Sequence, residues 1–111
     1  MTIKPQHASG YVALKALAFR ERGASKDAYD LYYVLRNYGA GVDDIIERFD
    51  RIHGDAETER ALSIIEADFT REYSIGPMRV STFLHARVEK ATLADVAGFS
   101  REFLLKAGRA G

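Results

Sequence analysis

Apolar residues recur along this chain at intervals of three and four, the period of a helix with one side in a core. After Pro5, residues 9 to 22 carry Tyr11, Val12, Leu14, Leu17, Ala18 and Phe19, which makes the segment apolar over most of its circumference. Gly23 is placed to end it, because glycine takes the left-handed stop conformation at little cost. A second helix is predicted over about 26 to 38, with Ser25 as N-cap, Asp27 in the first turn and a stripe of Ala28, Leu31, Tyr32 and Leu35. Gly39-Ala40-Gly41 stops it.

The pattern continues in the same key. A third helix is expected over about 43 to 53, with Ile45, Ile46, Phe49 and Ile52 on its inner face. Gly54 ends it, and Asp55 caps a fourth over about 56 to 72, where Ala61, Leu62, Ile65 and Phe69 recur at helical spacing. Gly76-Pro77 opens a short fifth, with proline in the first position and Val80, Phe83 and Leu84 inward. Thr92 caps a sixth over about 93 to 107, with Asp95 as its box-like partner and Val96, Phe99, Phe103 and Leu104 inward. Within it Gly98 either weakens the helix or permits a close contact. No β-branched alternation marks a strand. The prediction is one all-α domain over residues 1–111, a compact bundle of five to six helices with short connections.

Composition narrows the function classes. Sixteen basic and sixteen acidic residues cancel. A general nucleic-acid binder needs a basic excess, so nucleic acid is not an expected partner. The chain has no cysteine, which removes disulfides, thiolate chemistry and cysteine zinc sites. No apolar run approaches the length of a membrane span, and no apolar signal region follows Met1. A cytoplasmic protein with no membrane partner is expected.

The chemistry concentrates in residues 15 to 32. Lys15 sits in an apolar helix pattern beside Tyr11, Ala18, Phe19 and Arg22. A lysine there either extends its ammonium outward or meets a carboxylate. The nearest carboxylates are Asp27 and Asp30, on one face of the second helix at i, i+3 spacing. Asp27 suits a helix N-terminus, whereas Asp30 lies beyond the stretch where the dipole accounts for it. Two readings stand. In one, Lys15 or Arg22 pairs with Asp27 or Asp30 as a clasp that fixes a helix hairpin. In the other, Lys15 faces a phosphate as a compact point charge, with a carboxylate to orient it or to manage protons.

The run from Leu14 to Gly23, followed by Lys26-Asp27-Ala28-Tyr29-Asp30-Leu31-Tyr32-Tyr33, resembles the C-terminal motif of the AbiEii-type nucleotidyltransferase toxins. There a lysine helix, an arginine and a (Lys/Arg)-Asp-x-x-Asp-Leu helix follow the catalytic sheet. The resemblance is strongest over residues 12 to 38 and extends weakly to Gly76–Leu84. It implies that Lys15 and Asp30 occupy positions that approach the nucleotide. Lys26 and Asp27 occupy the flanking motif positions, and Arg22 the basic position before them. The chemistry it implies is transfer of a nucleotide, with magnesium, from a nucleoside triphosphate to an RNA or protein acceptor, in a toxin–antitoxin setting.

The departure from that family matters as much. Nucleotidyl transfer needs a Gly-Ser or Gly-Gly phosphate turn and an Asp-x-Asp pair for two metal ions. These 111 residues contain no Asp-x-Asp. Gly39-Ala40-Gly41-Val42-Asp43-Asp44 follows no strand and reads as a turn and cap. Because Met1 falls just before the lysine helix, the expectation is a helical accessory or remnant domain, without the catalytic half and inactive alone. No cofactor or metal is expected in the chain itself. The expected partners are a second copy, through the first helix, or a separate catalytic segment, with a nucleotide as possible ligand. The alternative is a small self-associating helical interaction protein that binds no nucleotide.

Other constellations carry less. His7, His53 and His85 are too scattered for a zinc site, and His53 suits a helix end. Glu47, Asp50, Asp55, Glu57 and Glu59 are interrupted by Arg48, Arg51 and Arg60, as on a solvated face. Tyr29, Tyr32, Tyr33 and Tyr38 cannot share one buried face. Two are expected in the core, with the others covering a neighbour or an interface; a base-stacking platform is the lesser reading, because the sequence shows no basic surround for it.

Overall fold

The architecture is set by five helices among the described residues, 8–37 and 55–106 of a computed structural model. They are α1 (Ala8–Arg22), α2 (Ser25–Asn37), α3 (Asp55–Phe69), α4 (Ile75–His85) and α5 (Lys90–Lys106). The fold is all-α, a compact bundle in which α1–α2, α3–α4 and α4–α5 follow one another through short connections, and no strand occurs among the described residues. The helix predicted over 43 to 53, the Gly39–Gly41 stop, Tyr38, His7 and His53 lie outside them.

Gly23 stops α1 as expected. It adopts φ +66° and its N–H donates to the Phe19 carbonyl at 2.6 Å. With only Gly23 and Ala24 between the helices, α2 folds back beside α1 and also meets α4 and α5. Ser25 is not the cap of α2. The Ala24 carbonyl accepts from the Asp27 and Ala28 N–H groups, so the helix begins one residue early and Ser25 lies inside it. Ala28, Leu31, Tyr32 and Leu35 are buried, joined by Val34.

On α1 the core takes Val12, Ala13, Ala16 and Phe19, while Leu14 is exposed. A segment apolar on most sides does not announce which side faces in. Phe19 meets Phe69 of α3 edge-to-face, with ring centroids 5.1 Å apart, and both are buried. Such a pair adds about 1 kcal/mol to its burial. Ala61, Leu62, Ile65 and Phe69 of α3 are all buried, with Ile64.

The two C-terminal helices depart from the predicted faces. In α4, Val80 is buried, but Phe83 and Leu84 are nearly half exposed; Gly76, Pro77 and Ser81 take the inner places. Ser74 is the N-cap, so Pro77 is third in the helix rather than first. Gly76 lies against the Phe69 ring, where a Cβ would come within 2.5 Å. Ser81 is tolerated inside because its hydroxyl donates to the Arg87 carbonyl and accepts from the Glu89 N–H, at 2.6 and 2.7 Å. That fastens the bend between α4 and α5, whose turn is made by Ala86 at φ 57°.

Helix α5 starts at Lys90, with the Leu93 N–H donating to Glu89. Thr92 therefore lies within the helix instead of capping it, and its hydroxyl meets His85 Nε2 at 3.0 Å. Val96, Phe103 and Leu104 are buried with Leu93 and Ala97, and Phe99 packs at the edge of the core. Among the described residues nothing lies within 4 Å of a Cβ at Gly98, so none of them makes a close contact that requires the glycine.

Candidate functional site

The α1–α2 hairpin brings every sequence-predicted site residue into one cluster. Lys15 projects from α1 across the hairpin and reaches both acids of α2, with Nζ 3.2 Å from Asp27 Oδ1 and 2.9 Å from Asp30 Oδ2. The Arg22 guanidinium, at the end of α1, closes on Asp27 from the other side. Its Nη2 lies 2.8 Å from Oδ2 and 3.0 Å from Oδ1, and Nε lies 3.1 Å from Oδ2. Lys26, one turn before Asp30, places Nζ 2.9 Å from Oδ2.

The burial is graded. The Asp27 and Asp30 side chains are 5% and 2% exposed and Lys15 16%, whereas Arg22 and Lys26 are 62% and 67% exposed. The acids and Lys15 form the floor, and two cations form a rim open to water. Bare carboxylates at this depth would be costly. Three cations against two anions compensate them and leave one positive charge in excess.

Asp30 shows the balance. Burial pushes its carboxyl toward the neutral form, but hydrogen bonds and charge from Lys26 and Lys15 outweigh that and hold it below its ordinary value. It is therefore a fixed anion near neutral pH, suited to orient Lys15 and not to act as a general base there. The clasp reading had Lys15 or Arg22 pairing with Asp27 or Asp30; the structure pairs Lys15 with both acids and Arg22 with Asp27.

No known protein family, curated protein or solved structure matches this chain.

A second polar group lies farther along α2, and the sequence reading missed it. The buried Tyr32 hydroxyl donates to Asp95 Oδ2 of α5 at 3.1 Å and accepts from Arg36 Nη1 at 2.9 Å. Burial, then the Asp95 charge, raises the Tyr32 phenol above its ordinary value, and Arg36 opposes this. Only the i, i+4 spacing of Tyr32 and Arg36 hinted at the pairing; Asp95 comes from 63 residues away. Beside this group, Tyr29, Tyr32, Tyr33, Arg36 and Leu84 line a cavity of about 290 Å³.

Among the described residues no three His, Asp or Glu side chains gather as a metal cluster would. Nor is any described helix long and apolar enough to cross a membrane. His85 is exposed, and so is Glu59, the one predicted acidic-face carboxylate whose side chain is described.

Proposed function

We propose that this chain is a helical accessory domain of a nucleotidyltransferase of the AbiEii toxin type, which seats nucleotide phosphates on the Arg22–Lys26 rim and does not transfer nucleotides alone. The observation that carries the reading is the charge balance at the hairpin. A clasp for two aspartates needs two cations, and a third leaves a positive rim facing water over a rigid floor. Guanidinium and ammonium groups are the usual phosphate donors, the first bidentate and the second a point charge. The depths differ from what the resemblance implies, which brings Lys15 and Asp30 to the nucleotide: Asp30 is 2% and Lys15 16% exposed, so in this proposal Arg22 and Lys26 contact phosphate, Lys15 supplies charge beneath them, and Asp27 and Asp30 aim all three. The metal-holding Asp-x-Asp and the magnesium would belong to a separate catalytic segment, since these residues contain no such pair.

Backbone amide shifts during titration with a nucleoside triphosphate and magnesium test this. Saturable changes centred on Lys15, Arg22, Lys26 and Asp30 are expected, with no nucleotide turnover. A spectrum unchanged at those residues rejects the reading, and magnesium-dependent transfer by the chain alone rejects the assigned inactivity.

A self-associating interaction protein is the second reading. It is favoured by the exposure of Leu14 on α1, of Phe83 and Leu84 at the end of α4, and of Val88 in the bend that follows. Light scattering separates it: a stable dimer with no response to nucleotide replaces the first reading by the second.

A further inference from the structure

Helix α2 carries more than its share of the cluster. At 100° per residue, positions 26, 29, 33 and 36 fall within one narrow arc, so Lys26, Tyr29, Tyr33 and Arg36 form a stripe along a single face. Its first residue belongs to the phosphate-type rim. The other three line the tyrosine cavity, whose wall on α4 is Leu84. With a rise of 1.5 Å per residue, Lys26 and Tyr33 stand about 10 Å apart along the helix axis, a separation that suits a nucleotide lying along the stripe with its phosphates at one end and its base at the other.

The cavity has the chemistry for a base. Tyr29 is already stacked on Phe83 of α4, with centroids 4.9 Å apart and planes 24° from parallel, which fixes one aromatic wall. Tyr33 stands beside it at 6.1 Å with its plane tilted by 55°. Arg36 lines the pocket with its guanidinium carbon 5.9 Å from the Tyr32 ring centroid, Nη1 donating to the Tyr32 hydroxyl and lying 3.8 Å from Asp95 Oδ2, so its charge at the pocket edge is shared with that carboxylate. Aromatic and guanidinium planes around a small polar-rimmed cavity are the means by which single bases are stacked without strict sequence preference.

We propose that this cavity is the base subsite of the nucleotide whose phosphates meet Arg22 and Lys26, with Tyr33 as the stacking residue and Arg36 as its cationic edge. This rests on the phosphate-seat reading above and adds to it the ligand's orientation along α2.

The test compares inorganic triphosphate with the four ribonucleoside triphosphates, all with magnesium, by calorimetry on the intact chain and on Tyr33→Leu and Tyr33→Phe. Tyr33 is only partly buried, and a thermal melt verifies that each variant is folded; Arg36→Gln serves as a second probe of the pocket. At least one nucleoside triphosphate should bind about tenfold tighter than triphosphate. Tyr33→Leu should erase that advantage and leave triphosphate binding unchanged, and Tyr33→Phe should keep it. Equal affinities for triphosphate and every nucleotide, or an advantage that survives Tyr33→Leu, overturn the base subsite and leave the phosphate seat intact. A nucleotide that binds where triphosphate does not, and is lost in Tyr33→Leu, keeps the cavity and removes the phosphate seat. Binding of neither ligand overturns both.

Discussion

Replacing Lys15 by methionine keeps the length and apolar stem of the side chain and deletes its charge. The loss can be sized from its two contacts, 3.2 Å to Asp27 and 2.9 Å to Asp30. Breaking a buried ion pair by removing one partner costs about 3–5 kcal/mol when nothing replaces it. Here Asp27 keeps Arg22 and Asp30 keeps Lys26, both with water-exposed heads. The expected cost is therefore smaller, about 1.5–3 kcal/mol, the range of hydrogen bonds to charged groups. In a domain of this size that lowers the melting temperature by about 10 °C.

Acid sensitivity gives an independent reading. The Asp30 carboxyl is held below its ordinary value, so its stabilisation is present above the unfolded-state value of about 3.9 and is lost as pH falls through the lower folded value. Without Lys15, one of the two cations opposing burial is gone and the folded value rises. The stabilisation is then smaller and is exhausted at higher pH, and the acid-unfolding midpoint of Lys15→Met should shift upward. Urea unfolding at pH 7 and an acid titration, both followed by circular dichroism, measure the two effects. A variant within about 0.5 kcal/mol of the parent, with an unmoved acid midpoint, would show that Lys15 does not hold the hairpin.

Gly76→Ala should destabilise by about 1–3 kcal/mol in denaturant unfolding, because its Cβ would strike the buried Phe69 ring. Gly98→Ala should stabilise by about 0.5–1 kcal/mol, since among the described residues nothing lies within 4 Å of a Cβ there and glycine is a poor helix former. Among the described residues the buried Ser100 hydroxyl has no hydrogen-bond partner, so Ser100→Ala should leave stability unchanged or raise it by about 1 kcal/mol, as a thermal melt will register.

The sequence was legible where one physical cause dominates. The stripe of Ala28, Leu31, Tyr32 and Leu35 is buried as its spacing demands, and Gly23 takes the positive φ that a helix stop requires. It was less legible where two causes compete. Apolar residues on several sides of α1 and α4 allow more than one inward face. The structure decides by packing: Leu14, Phe83 and Leu84 stay exposed, while Gly76 admits the Phe69 ring and Ser81 enters the core because two backbone groups satisfy its hydroxyl. Thr92 resembled a cap because capping residues are common just before apolar runs, yet the Glu89 carbonyl starts the hydrogen bonding three residues earlier. The charged cluster was visible as a set of residues, because a lysine in an apolar pattern and an aspartate past the first turn both ask for partners. Its layering, with acids and Lys15 as floor and Arg22 and Lys26 as rim, depends on the hairpin crossing and was not written in the spacing.

The most direct measurement is calorimetric titration of the chain with inorganic triphosphate, set against the Arg22→Ala/Lys26→Ala double variant. Both side chains are largely exposed and Lys15 still faces both acids, so the variant is expected to fold with reduced stability, which a thermal melt verifies, and saturable binding by the parent that disappears in the folded variant is the predicted result. No heat of binding in the parent, or equal affinity in both proteins, would contradict the assignment of this hairpin as a phosphate seat and leave it a structural clasp.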